Sequence, residues 1–227
     1  MSRTVSTAPV DTVPRARPLA GRVDGTSVRL ERLDVERHCE PLFRCSHIEN
    51  KARVVWDFLP HGPFGTVAEF EVWLTDFVGP DDGEYYVVVD QADAEPKGMF
   101  SLRNIRVDLA TLELDYLWFA PALQRTRGAT EAMYLLFRWL FDDLRYRRIS
   151  WRSDAANSRC CRAAERLGFV REGTLYQHAI VKGRNRDAAQ YALLDREWPA
   201  VASRMQRWLH PDNFDTGGQQ RTRLAEV

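Results

Sequence analysis

The chain has 227 residues, of which 44% are hydrophobic and 28% charged, a composition typical of one soluble globular domain. Its 32 lysines and arginines equal its 32 aspartates and glutamates, so no net charge favours nucleic acid, and no apolar run approaches the roughly 20 residues that span a bilayer. The N-terminus lacks a signal-peptide pattern, and the four cysteines and five histidines fit no zinc spacing, so we expect a cytoplasmic protein without a metal, nucleic-acid or membrane partner.

The first half of the chain is predicted to form one strand, two helices and three further strands. Apolar residues alternate in the strands and recur at helical spacing in the helices. The first helix begins at Asp34, because Glu36 and Glu40 favour its early turns. In chain order the elements are strand 27–33, the helix from Asp34, helix 67–78, and strands 84–90, 99–107 and 111–119.

The second half is predicted to alternate helices with short strands. A helix from Asn157 ends at Leu167, because Gly168 suits the left-handed position after a helix and Phe169 can fold back. The complete set is helix 127–144, strand 147–153, helix 157–167, strands 175–182 and 189–194 around a turn at Gly183–Asn185, and a helix from Asp195 that carries Trp198 and Trp208. One domain, 21–210, then lies between a disordered N-terminal extension, 1–20, and a polar tail, 211–227.

The segment from Leu123 to Ala132 joins strand 111–119 to helix 127–144 through a turn rich in small residues. Unpaired backbone N–H groups at a helix start favour an anion, and Gly128 and Ala129 let a ligand approach the backbone closely. The segment therefore predicts a phosphate pocket. Taken alone, it is explained equally well as a purely structural turn.

Three segments carry a more specific signal of a protein family: PALQRTRGATEAMYLL, LRYRRISWRSDAANSRCCRAAERLGFVREG and VKGRNRDAAQYALLDREWP. Between Gly21 and Leu209 the chain resembles the GNAT superfamily of acyl-CoA-dependent N-acetyltransferases, in particular its branch of ribosomal-protein N-terminal (alanine/serine) acetyltransferases. The resemblance implies an α/β (α+β) fold whose central, mostly antiparallel sheet has six to seven strands, is flanked by helices and is split near its middle. It also implies acetyl-CoA as the acyl donor.

The resemblance places the coenzyme along the end of strand 111–119 and over the helix start that follows. Arg127 stands where the family's first glycine is usual, so we expect its guanidinium to bind phosphate. The implied coenzyme contacts are Leu117, Phe119, Gln124, Arg125, Thr126, Arg127, Gly128, Ala129, Thr130 and Asn157.

Transfer to an amine needs a group that removes a proton from the amine. Glu113 is the first candidate for this base, since the resemblance places an acid on this strand; Asp115, on the same face, is assigned to acceptor binding. The alternative interpretation is that both carboxylates are simply solvated residues of a half-exposed strand. Asn157 caps a helix and is implied to contact the pantetheine arm, and Cys160 is a candidate proton donor to the leaving thiolate or an inert packing residue.

The resemblance places the loop with Trp56, Phe58 and Phe64 on the acceptor side, where these aromatic residues stack on a substrate or close the core. The leading functional prediction is acetyl transfer to a primary amine of a small molecule or peptide by direct attack, with a monomer or homodimer as the working state. A protein N-terminus, such as that of a ribosomal protein, is the first alternative acceptor. A non-catalytic acyl-CoA-binding protein is the second alternative.

Overall fold

A computed structural model describes residues 3–48, 52–79 and 83–226. The described chain contains eight strands and five α-helices. In chain order these are β1 (Arg22–Asp24), β2 (Val28–Arg32), α1 (Val35–Phe43), α2 (Val67–Phe77), β3 (Glu84–Asp90), β4 (Pro96–Arg106), β5 (Thr111–Phe119), α3 (Arg127–Arg138), β6 (Arg148–Asp154), α4 (Ser158–Arg166), β7 (Val170–Val181), β8 (Arg184–Leu194) and α5 (Trp198–Leu209).

The strands form one sheet in the order β1-β2-β3-β4-β5-β6-β8-β7, and every neighbouring pair is antiparallel except β5 and β6. The predicted mixed fold with a mostly antiparallel sheet is confirmed. The extra strand is β1, a three-residue strand that the sequence pattern did not indicate. Helix α3 continues as a π-helical turn over Trp139–Asp143, so the helical region ends beside the predicted Leu144.

The sheet separates two apolar clusters. The larger cluster joins one face of the sheet to α3, α4 and α5, and the smaller cluster joins the other face to α1 and α2. In β5, Leu112 and Leu114 belong to the larger cluster, whereas Trp118 belongs to the smaller one. The alternation of β5 side chains between the two faces of the sheet therefore shifts by one residue between Leu114 and Trp118. The positive φ of 49° at Tyr116 marks this irregularity.

The sheet opens between β5 and β6. Their parallel pairing extends only from Thr111 with Arg148 to Leu114 with Trp151, although β5 continues to Phe119 and β6 to Asp154. Beyond Leu114 the edge of β5 that faces β6 has no partner strand within the described chain. This gap, here called the split, leaves room for a ligand at the centre of the sheet.

Both terminal segments are held more tightly than the sequence predicted. Residues 3–20 contain no helix or strand, but the Arg3 guanidinium contacts Glu197 at 2.7 Å and the Tyr86 hydroxyl donates to Pro18 O at 2.8 Å. In the C-terminal tail, Leu224 is 2% exposed and packs into the larger cluster. Disorder was expected for residues 1–20 because they show no apolar periodicity, and a periodic pattern does not report contacts such as that of Arg3 with Glu197.

Candidate active site

The start of α3 is the segment that the sequence predicts to bind an anion. Thr126 caps the helix, and its hydroxyl accepts a hydrogen bond from Ala129 N at 3.2 Å. The N–H groups of Arg127 and Gly128 have no acceptor in the described part of the chain, as expected for the first turn of a helix. A Cβ on Gly128 would lie 3.0 Å from Val28 Cγ1, so glycine allows the helix start to pack closely on β2.

The Arg127 side chain does not take the role expected from the sequence. Its Nη2 donates to Leu209 O at 2.5 Å, and its guanidinium lies 5.0 Å from the centre of the Phe214 ring. The guanidinium therefore joins α3 to the end of α5, and the backbone supplies the groups that face an anion. Arg125, exposed and with a φ of 64°, is the nearby arginine without such a contact in the described residues.

Glu113 is held as the partner of Arg152. The Arg152 Nε donates to Oε1 and its Nη2 to Oε2, both at 2.9 Å, and Asn104 Nδ2 donates to Oε2 at 2.8 Å. These three donors hold the carboxylate in one orientation against Arg152. The structure thus places Glu113, the expected base, in an ion pair with Arg152.

Asp115 is the carboxylate of this strand that remains available. It forms no salt bridge among the described residues, and it accepts a hydrogen bond from the backbone N–H of Tyr116. Burial raises the pKa of Asp115, against the effect of that hydrogen bond. Its cross-strand partner is Ser101, whose buried hydroxyl has no hydrogen-bond partner in the described ranges. Asp115, which has no salt bridge among the described residues, and the Ser101 hydroxyl thus lie side by side at the irregularity in β5.

The start of α4 contributes Asn157 and Cys160 to the other side of the split. Asn157 Oδ1 accepts from Cys160 N at 3.1 Å, which is the capping contact expected from the sequence. Burial raises the pKa of the Cys160 thiol to about 11, so the thiol is neutral at physiological pH. Its hydroxyl-bearing neighbour Ser153 counteracts part of this shift.

The aromatic loop on the acceptor side is only partly accessible. Trp56 is fully buried, and its Nε1 donates to Ser46 O at 3.1 Å. Phe64 packs on Trp56 edge to face, with ring centres 5.4 Å apart. Phe58 is 38% exposed. Trp56 therefore packs in the core, one of the two roles that the sequence left open, whereas Phe58 lies at the surface.

Sequence reasoning missed two contacts that bind this loop to the sheet. The Tyr116 hydroxyl and His61 Nδ1 form a hydrogen bond, and Lys182 Nζ donates to Trp56 O at 2.7 Å. Burial raises the pKa of Tyr116, and burial followed by the charge of Lys182 lowers that of His61. The sequence carries no signal for these two contacts, because apolar residues stand at positions 112, 114, 116 and 118 without a break.

The opposite wall of the split carries Asp154 at the end of β6 and Arg186 on β8. Arg186 Nε lies 3.8 Å from Asp154 Oδ2, longer than a charge-assisted hydrogen bond. The sequence pattern did not single out Arg186, because a lone arginine near a hairpin turn ordinarily lies in solvent. Here its side chain is only 21% exposed.

Comparison with known proteins identifies the family. The family model described as "Acetyltransferase (GNAT) domain" matches residues 28–170. The chain belongs to the GNAT acetyltransferases. A solved GCN5-related N-acetyltransferase from Brucella melitensis is 39% identical with a TM-score of 0.90, and the match covers 94% of this chain and 96% of that one.

Two other relatives have similar extents. A probable GNAT-family acetyltransferase structure from Chromobacterium violaceum ATCC 12472 is 35% identical, with a TM-score of 0.79 and coverage of 88% of this chain and 100% of that one. The Bacillus subtilis (strain 168) protein named "Putative ribosomal N-acetyltransferase YdaF" is 27% identical over 177 residues, which are 74% of this chain and 90% of the relative.

The chain is thus an acetyl-CoA-dependent N-acetyltransferase. In the part of the chain that the structure describes, no helix is both long enough and apolar enough to cross a membrane. The described residues also contain no group of three histidine, cysteine, aspartate or glutamate side chains arranged to hold a metal ion.

Proposed function

We propose that the acceptor of this GNAT enzyme is a primary amine on a small molecule or peptide, and that the amine attacks the thioester directly. One observation carries the acceptor size. The loop at 57–66 is bound to β5 through His61, and Trp56 O, just before the loop, accepts a bond from Lys182 of the β7–β8 hairpin. A loop held at both walls encloses the acceptor end, which suits a small ligand better than a folded protein surface.

We place acetyl-CoA in the split, with its pyrophosphate over the start of α3. The chain fits this ligand, since the N–H groups of Arg127 and Gly128 have no acceptor among the described residues and Gly128 lets the helix start pack closely on β2. The unpaired edge of β5 offers its backbone to the pantetheine arm. The other contacts follow the same path: Leu117, Phe119, Gln124, Arg125, Thr126, Ala129, Thr130 and Asn157.

Acetyl-CoA supplies an acetyl group activated as a thioester. In our proposal Asp115 takes the proton that the amine must lose, because it lies at the irregularity of β5, is not neutralised by a close ion pair, and has a raised pKa. Cys160 is a poor donor to the departing thiolate: its pKa of about 11 exceeds the ~8.5 of an ordinary thiol. Solvent therefore supplies that proton.

A protein N-terminus is the second candidate acceptor, favoured by the name of the Bacillus subtilis relative. A protein N-terminus needs an open groove. Such a groove forms only if the hydrogen bonds of His61 to Tyr116 and of Lys182 to Trp56 O break.

The experiment measures thiol release from acetyl-CoA at saturating amine, using small amines, short peptides and an intact protein with a free N-terminus. We expect turnover with a subset of the small amines and peptides. Asp115→Asn should lower turnover by about 10²-fold or more at neutral pH, with a smaller deficit at higher pH as the amine deprotonates unaided. Turnover with the intact protein alone would contradict the proposed acceptor size.

A further inference from the structure

Three arginines form one stripe along α4, here called the arginine stripe. Arg159, Arg162 and Arg166 are spaced three and four residues apart, which places their side chains on one face of the helix. All three are exposed, and none forms a salt bridge within the described chain. Glu165, the acidic residue of α4, instead accepts a hydrogen bond from the Tyr191 hydroxyl at 3.2 Å. The described fold therefore leaves the charge of this face without a close counter-charge.

The arginine stripe runs against the electrostatic preferences of the helix itself. Arg159 lies in the first turn, where the partial positive charge of a helix N-terminus disfavours a cation. Arg162 and Arg166 are four residues apart, a spacing at which like charges destabilise a helix. Of the three, Arg166 alone suits the helix dipole, because it lies in the last turn. The stability of α4 does not account for the stripe, whereas an anion beside it would.

Arg166 joins the stripe to the start of α3. Its Nη2 donates to Thr130 Oγ1 at 3.2 Å. Thr130 belongs to the first turn of α3, together with Arg127 and Gly128, whose N–H groups have no acceptor among the described residues. Arg127 and Thr130 are separated by roughly 4.5 Å along the helix axis. The Arg166 guanidinium thus lies beside the place that we propose for the coenzyme pyrophosphate.

A fourth arginine adds positive charge from α5. Arg204 Nη2 donates to Arg166 O at 3.3 Å, and Arg204 Nε is buried without a hydrogen-bond partner in the described residues. Desolvation, followed by the charge of Arg204, lowers the pKa of Arg166. Within the described ranges no carboxylate lies at salt-bridge distance from either guanidinium. The junction of α3, α4 and α5 thus has an excess of positive charge, although the net charge of the chain is zero.

We propose that this junction binds the 3′-phosphate of the coenzyme, with Arg166 as its main contact and Arg162 beside it. Coenzyme A carries this phosphate on its ribose, next to the pyrophosphate, so one ligand supplies anions to both the start of α3 and the stripe. A phosphate monoester has up to two negative charges and accepts parallel hydrogen bonds from a guanidinium. Arg166 then selects acyl donors that carry the 3′-phosphate. This inference rests on the proposed placement of acetyl-CoA in the split.

The test compares coenzyme A with 3′-dephospho-coenzyme A, which differs from it only in this phosphate. Calorimetric titration measures the binding of each ligand without turnover. We expect the wild type to bind coenzyme A roughly 10- to 100-fold more tightly, the value of one strong charge-assisted contact. The two acetyl thioesters should differ in KM in the same direction and have similar kcat, because the pantetheine arm separates the phosphate from the reacting thioester.

Three variants separate phosphate recognition from general charge. Arg166→Gln should remove most of the difference by weakening the binding of coenzyme A, with the binding of the dephospho form nearly unchanged. Arg162→Gln should cause a smaller shift in the same direction, and it carries the test if Arg166→Gln does not fold. Arg196→Gln removes an exposed arginine that precedes α5 and should keep the full difference. Thermal unfolding without ligand shows which variants are folded.

Equal affinity of the wild type for the two ligands would overturn this inference and leave the placement of acetyl-CoA in the split intact. An equal loss for both ligands in Arg166→Gln would also overturn it, because Arg166 would then only support the fold. Failure of the wild type to bind either ligand would instead overturn the proposed coenzyme site itself.

Discussion

His47 links acid pH to the stability of the acceptor loop. Its Nε2 accepts a hydrogen bond from Phe64 N at 3.0 Å, and its Nδ1 lies 3.3 Å from Phe43 O and 2.9 Å from Ser46 Oγ. These contacts require a neutral ring with the proton on Nδ1. Protonation of Nε2 breaks the bond to Phe64, and burial lowers the pKa of His47 to about 4.

The sign and size of the effect follow from this pKa. Because the pKa is lower in the folded than in the unfolded protein, the neutral ring stabilises the fold above pH 6.5, and this stability is lost as the pH falls towards 4. An interval from 6.5 to about 4, at ~1.4 kcal/mol per pKa unit, sets a ceiling of ~3 kcal/mol on the loss. The ring is partly exposed, so we expect roughly 1–2 kcal/mol after screening by solvent.

The assay is chemical denaturation between pH 4 and 8 for the wild type and for His47→Gln. His38 and His61 also have lowered pKa values, but they are present in both proteins and cancel in the difference. We expect the variant to lose less stability than the wild type between pH 6.5 and 4. Parallel pH curves would show that His47 is not the group that titrates, and would refute the reasoning.

Four further substitutions test the site and its support. Glu113→Gln should lower turnover without changing the shape of the pH–rate profile, because we propose that Glu113 holds Arg152 in place and does not take the proton from the amine. A changed profile shape would indicate that Glu113 is the base. Gly128→Ala should weaken CoA in calorimetry and cost ~1–3 kcal/mol of stability through overpacking. Arg127→Ala should leave CoA affinity within about twofold while costing ~1 kcal/mol of stability. Trp56→Ala should cost ~3–5 kcal/mol in denaturation, and intact stability would contradict its core position.

The elements of the fold follow from local patterns that the sequence displays. Strands 84–90 and 111–119 have the predicted bounds, since alternation and flanking turn residues define them. Strand β7 begins at Val170, five residues before its predicted start, because this edge strand is exposed along most of its length and shows no alternation. The π-helical end of α3 has no periodic signature either.

The site was less predictable, because its chemistry depends on contacts between distant segments. The phosphate pocket could be predicted because a helix start and small residues are adjacent in sequence, and the structure has a helix beginning at Arg127. The ion pair of Glu113 joins β5 to β6 across 39 residues, and the bond from Tyr116 to His61 joins β5 to a loop 55 residues earlier. Neither contact is encoded in sequence spacing, so only the structure shows that Glu113 pairs with Arg152 whereas Asp115 has no salt bridge among the described residues.

The central claim is direct transfer of the acetyl group from acetyl-CoA to an acceptor amine. Mass spectrometry of single turnovers tests it: enzyme and acetyl-CoA are mixed without and then with an accepted amine. The account predicts no acetylated enzyme before the amine is added, and afterwards one acetamide product for each CoA thiol released. A covalent acetyl-enzyme that forms without amine and is consumed when amine arrives would contradict direct attack, as would thiol release without acetamide.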